Sequence, residues 1–379
     1  IMFQAPERRN TDSVKWGLFT EDVLPLWMAD MDFTSPPAVI EALQQRVSHG
    51  VFGYALESQE LKDLIVQRMS RLHQWRISPE DILLVPGVVS GFNLVCQAVV
   101  HPGESILLQP PVYPPFFEAP VKAQARTVYN NLQPGADGQY RVDLDAFAKS
   151  IEKDTKAFLL CNPHNPLGRV FTREELLGMA GECLRHEMII IADEIHCDLV
   201  YKGYQHIPIA SLDDEIAAST VTLIAPSKTF NIAGLDCSIL ICQNEELRKR
   251  ILHSKRGLMG GVNLLGMTAA AAAYREGASW LSEVLAFLES NREHLMAYIE
   301  HNLPRIHMVK PEATYLAWLD CRELELAPSP REYFFQRARV ALNDGRDFGE
   351  PGTGFVRLNF GCSRETLDNA LERMCHSLS

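Results

Sequence analysis

Two hydrophobic rhythms alternate along most of this chain. Short, nearly unbroken apolar runs recur at Ile82-Leu83-Leu84-Val85, Ile106-Leu107-Leu108, Ala157-Phe158-Leu159-Leu160-Cys161, Met188-Ile189-Ile190-Ile191-Ala192 and Val221-Thr222-Leu223-Ile224. Between them lie stretches with apolar residues at helical spacing, such as Phe92, Leu94, Val95 and Val99. An apolar run with no polar alternate is a strand buried on both faces. Strand then helix, repeated, predicts a mainly parallel sheet with helices on each side. We read residues 40–276 as one such three-layer α/β/α domain.

The flanks carry other patterns. Ser35-Pro36-Pro37 marks a helix start, with Val39, Ile40, Leu43 and Val47 on one face. Leu61, Leu64, Ile65, Met69 and Leu72 predict a second helix, and the alanine-rich run from Thr268 to Ala273 predicts close helix packing. The longest helical pattern, 280–302, leads to a predicted strand at 315–319, a helix at 330–339 and a strand at 354–359 that carries Arg357. Residues 277–379, joined by an N-terminal arm of residues 1–39, are expected to form a smaller α+β domain.

Composition narrows the function. With 379 residues the chain can bury a large core. A net charge of −12 argues against nucleic acid or an anionic membrane as partner, since both need a concentrated positive field. No apolar run reaches membrane-spanning length and no secretory segment opens the chain, which starts at Ile1 and is expected to lack its native start. The nine cysteines form no CxxC pair and several sit in apolar runs, which points to a reducing cytoplasm and away from structural zinc.

The candidate chemistry lies just after the strands. Pro86-Gly87-Val88-Val89-Ser90-Gly91 joins a strand to a helix, a turn that aims backbone N–H groups at an anion, although many such turns bind nothing. Tyr113, Asn165, Asp193 and Lys228 also follow strands, and in a parallel sheet that edge is where ligands collect. A lone lysine at a loop is more often a surface charge, and a strand-end aspartate more often a cap. Held in a pocket together, the lysine loses its charge readily and can form a Schiff base with a carbonyl.

Asn162-Pro163-His164-Asn165-Pro166-Leu167-Gly168, Asp193-Glu194-Ile195-His196 and Ser227-Lys228-Thr229-Phe230-Asn231 resemble the motifs of fold-type I pyridoxal-phosphate (PLP) enzymes, the aspartate aminotransferase superfamily. Residues 28–33, 51–54, 110–117, 225–235 and 314–318 are similar to the bacterial cystathionine β-lyase (cysteine C–S lyase) branch, which includes the maltose-regulon modulator type. The resemblance runs nearly end to end and implies the PLP-dependent transferase-like fold. Lys228 would hold PLP as a Schiff base and later move the proton at the substrate Cα. Asp193 would pair with the pyridine nitrogen and favour its charged form. Asn165 would donate to the ring's phenolic oxygen, with His196 near that oxygen and Tyr113 stacked on the ring. Gly87, Val88, Val89 and Ser227 would cradle the phosphate, and Tyr54 would reach it and the substrate from the other subunit of a homodimer. Arg357 would grip the α-carboxylate of an amino-acid substrate bidentately, with Asn165 beside it. Two positions depart from the superfamily pattern: Ala225 stands where a serine is common, and Asp236 where an arginine often is.

The activity implied is β-elimination from L-cystathionine or a related L-cysteine S-conjugate, giving a thiol, pyruvate and ammonia. An aminotransferase on the same scaffold, or a C–S lyase that is also a regulatory binding protein, are the alternatives. A nicotinamide dehydrogenase is poorly supported, since no GxGxxG follows the first strand.

Overall fold

The structure, a computed structural model, describes residues 5–379. Residues 1–4 of the expected arm lie outside the described residues. The apolar runs form the core of a seven-stranded sheet in the order Ile82–Val85, Ser238–Ile241, Thr220–Ile224, Ile189–Asp193, Thr155–Cys161, Ser105–Leu108, Arg126–Tyr129. All neighbours are parallel except around Ser238–Ile241, which runs antiparallel to both of its partners. Thr220–Ile224 is buried throughout, as a strand covered on both faces must be.

Helices Val88–Val99 and Glu245–Lys255 cover one face through Phe92, Val95, Leu247 and Ile251. Helix Arg173–Arg185 covers the other through Leu176, Met179 and Cys183, and its start is fixed by a reciprocal Thr172–Glu175 capping pair. The fold is therefore a three-layer α/β/α unit with a mostly parallel sheet. Helix Val88–Val99 lies so close to the sheet that a Cβ on Gly91 would meet Leu223 Cδ2 at 2.4 Å.

A second sheet of four antiparallel strands, in the order His307–Met308, Leu316–Asp320, Phe355–Asn359, Asn343–Asp344, belongs to the C-terminal part. Leu24–Pro25 joins that part by pairing with Val340–Ala341. Helix Ala278–Asn302 buries Val284, Leu288, Leu295 and Ile299 along one stripe, as the pattern predicts. The helix expected at 330–339 differs. Only Pro330–Tyr333 is α-helical, and Phe334–Ala338 forms a wider π turn that keeps Phe334 and Ala338 in the core.

The buried alanines of helix Leu264–Glu276 let helix Pro37–Ser48 pack closely on it. That second helix departs from its predicted one-sided burial: Val39 is buried, but Ile40 is 40% and Val47 is 49% exposed. Among the described residues no helix is long and apolar enough to cross a membrane.

Gly266 supports the turn at residues 233–236. A Cβ there would lie 2.2 Å from the Leu235 carbonyl oxygen, which Asn263 Nδ2 also holds at 2.8 Å. Gly266→Ala is expected to destabilise the fold by about 2 kcal/mol through overpacking and to loosen cofactor retention. Thermal melting and dialysis check both, and an unchanged melting temperature would refute the packing argument.

Candidate active site

The carboxyl edge of the large sheet opens on a cavity of about 170 Å³. Gly87, Val88 and Val89 follow the strand Ile82–Val85 and line it; Tyr113, Cys161, Asn165, Asp193, His196, Ser227 and Lys228 arrive from the strands beside it. Parallel strands deliver their ends to one edge, so residues more than a hundred positions apart meet there.

Lys228 stands in the one-turn helix Pro226–Thr229, and its Nζ donates to the Ala29 carbonyl at 2.7 Å. Burial pushes its pKa down to about 8; Arg357 adds to the fall, while Asp30 and Asp193 oppose it. Asp193 ends its strand and is 4% exposed. Burial pushes this carboxyl up to about 7, against the Ile195 N–H at 3.1 Å and the charge of Lys228.

Asn165 sits in a turn tied down on several sides. Asn162 Oδ1 accepts from the Phe171 N–H, and Gly168 takes φ +68°, a left-handed conformation that favours glycine. Asn165 Oδ1 accepts from Arg357 Nη1 at 3.0 Å, which leaves its amide N–H groups for a ligand. Arg357 does not line the cavity and joins it through Asn165. It lies at the middle of Phe355–Asn359, and its Nη2 donates to the Trp27 carbonyl and to Asn343 Oδ1. Burial lowers its pKa to about 10.

His196 is neutral, its pKa driven down to about 3 by burial and further by Lys228 and Arg357, and its buried Nδ1 has no partner. Tyr113 packs edge-on against Phe116, and burial raises its hydroxyl pKa. Gly87 is the N-cap of helix Val88–Val99 and provides no side-chain cap, so the first-turn N–H groups face the cavity end free for an anion. Asp236, at φ +48°, lines the same cavity. Tyr54 does not: within one chain its side chain is fully exposed.

Several contributors were not legible beforehand. Segment 27–33 crosses the site as a strap and offers main-chain carbonyls, Trp27 to Arg357 and Ala29 to Lys228 and the Tyr315 hydroxyl. Asn231, three residues after the lysine, ties the strap to its loop: it accepts from the Met31 N–H and donates to the Met31 and Phe33 carbonyls. Arg8 bridges Asp30 and Asp32 at 2.8 and 2.7 Å, and buried Lys15 reaches Asp32 at 3.1 Å. Ser238 reaches the cavity because its strand runs backwards, opposite Val85.

A buried lysine, carboxylate and helix N-terminus around one cavity define a site for an anionic carbonyl cofactor. Residues 21–374 match the family model of aminotransferase class I and II. Cystathionine beta-lyase PatB of Bacillus subtilis is 41% identical over 98% of each chain. The solved structure of OvoB is 42% identical, with a TM-score of 0.94 over 98% of this chain and 97% of that one. Cystalysin from Treponema denticola, solved with pyridoxal 5′-phosphate, is 33% identical with a TM-score of 0.96 over 99% and 98%. The chain belongs to the aminotransferase class I and II family, and its cofactor is PLP.

The residues present fit that group. Asp193 is a buried carboxylate with no cationic side chain at ion-pair distance among the described residues, which suits it to a protonated ring nitrogen. The uncapped helix end suits a phosphate, and Asn165 keeps free donors.

Proposed function

We propose that this protein is a C–S β-lyase cleaving L-cystathionine or a related L-cysteine S-conjugate to a thiol, pyruvate and ammonia. The observation that carries the reading is the meeting of Lys228, Asp193 and Asn165 around one cavity, with Arg357 bonded to Asn165 from the smaller sheet, in a chain whose near relatives carry that activity in their names.

Bound PLP supplies the electron sink for the carbanion that forms at the substrate Cα. Arg357 and Asn165 hold the α-carboxylate and fix which Cα bond faces Lys228. With a pKa near 8, Lys228 is partly neutral at physiological pH, so its Nζ takes the Cα proton. Asp193 would present its carboxylate to the cofactor's ring nitrogen, the Gly87–Val89 N–H groups and Ser227 would hold its phosphate, Asn165 and His196 would serve its phenolic oxygen, and Tyr113 would stack on its ring. The Cβ–S bond breaks, the thiolate leaves with its electron pair, and water completes release of pyruvate and ammonia. The assay that tests this follows L-cystathionine with no added keto acid. Thiol and pyruvate should appear one for one; amino transfer that depends on a keto acid, with no pyruvate, would assign the aminotransferase reading instead.

We also propose a homodimer in which Tyr54 serves the other subunit's site. Val51, Phe52, Tyr54 and Leu56 expose a run of large apolar side chains on one chain, continuous with Val47. Mixing inactive Tyr54→Ala and Lys228→Ala subunits should restore about a quarter of parental activity, since half of randomly assorted dimers carry one intact site of two. No recovery above the Tyr54→Ala background would refute the shared site. The division into 40–276 and 1–39 plus 277–379 is supported by the sheets, which fall wholly on either side of it. A cytoplasmic location is supported by nine free cysteines.

A further inference from the structure

Arg357 is 4% exposed, and an arginine this buried is ordinarily paired with an acid. Here it is not. Its acceptors are Asn165 Oδ1 at 3.0 Å, the Trp27 carbonyl at 2.9 Å and Asn343 Oδ1 at 2.7 Å, all formally neutral. Phe348 lies against the guanidinium, 5.1 Å from ring centroid to Cζ. Three acceptors on two nitrogens fix the plane of the group. Two of its five N–H donors stay free, including Nε, which is buried without a partner.

Strand register explains why an amide and not an acid stands there. Asn343–Asp344 pairs antiparallel with Phe355–Asn359, with Asn343 opposite Arg357 and Asp344 opposite Val356. Opposed residues share a face and successive residues alternate. The register therefore sets the amide on the guanidinium and turns the Asp344 carboxylate away, where Ser329 and Arg346 hold it. A slip of one residue would bring that carboxylate to Arg357 and cancel its charge.

We propose that Asn343 is a positioning residue for substrate recognition: it aims Arg357 through a neutral acceptor and keeps the positive charge available for a single α-carboxylate. This rests on the reading of Arg357 given above. An isosteric carboxylate at position 343 keeps the shape and the hydrogen bond but supplies an internal anion, against which the substrate must compete.

The experiment compares holoenzymes of the parent, Asn343→Asp, Asn343→Ala and Arg357→Ala. It measures dissociation constants of L-alanine and of its carboxamide, L-alaninamide, which lacks the carboxylate charge, from the absorption change of the bound cofactor. Asn343→Asp should weaken L-alanine by about tenfold or more and leave L-alaninamide within about twofold, with Asn343→Ala in between. With the S-conjugate substrate, KM should rise by a larger factor than kcat falls. Unchanged L-alanine binding in Asn343→Asp, or equal weakening of both ligands, would overturn the positioning role. If Arg357→Ala retains the preference for the carboxylate, the reading of Arg357 falls and this inference with it. If Arg357→Ala loses that preference while Asn343→Asp keeps it, only the role of Asn343 falls.

Discussion

Lys228→Ala should lower thiol release by more than about a thousandfold and abolish the visible absorption that borohydride bleaches in the parent. The size of the effect follows from the lining of the cavity, where Lys228 is the only amine among the described residues. In the proposed mechanism its Nζ does two jobs, holding the cofactor and moving the Cα proton, and alanine does neither. Burial sets it up for both by pulling its pKa toward 8, so that a substantial neutral fraction exists near pH 7.5. Retention of thiol release within tenfold of the parent would mean that another group carries the proton, and the assignment would be wrong.

Asp193→Asn should have two effects of opposite sign. Turnover is expected to fall by about a thousandfold, because a neutral amide no longer favours the charged ring nitrogen. The cofactor-free protein should become more stable. The carboxyl titrates near 7 in the fold against an ordinary 3.8, so the folded state holds a proton that the unfolded chain has released between those values. The contribution of Asp193 to stability is therefore most favourable below about pH 4 and falls as pH rises toward 7, a cost on the order of a few kcal/mol above neutrality. Asparagine does not titrate and escapes that cost. Melting of the cofactor-free proteins at pH 8 and pH 4 checks the sign: the variant should gain at pH 8 and lose most of that gain at pH 4. An equal gain at both pH values would show that the effect is not protonic.

A gain of that kind would place Asp193 among residues whose function costs the empty fold stability. The same logic runs through the site. Arg357 and His196 each leave a buried nitrogen without a partner, and the helix start at Gly87 lacks a side-chain cap. Such groups are costly unless a ligand satisfies them.

What the sequence disclosed, and what it hid, divides along physical lines. The large sheet was legible because burial on both faces leaves unbroken apolar runs, and a parallel sheet puts each following loop on one edge. Asp193, Asn165 and Lys228 were legible for the same reason, as polar residues directly after those runs. The strap carries a motif at 28–33, but its job was hidden, because the groups it offers are main-chain carbonyls that every residue carries. Ser238 was hidden because strand direction leaves no local mark. Asn343 lies in a two-residue strand, too short for any alternation to register. Ile40 and Val47 show the reverse failure: their periodicity is helical, yet within one chain both stay well exposed.

The most direct test of the central claim is to reduce the holoenzyme with borohydride, digest it and locate the cofactor-derived mass on a peptide. One addition per chain is expected, on Lys228. Labelling at any other lysine, or none at all, would contradict it.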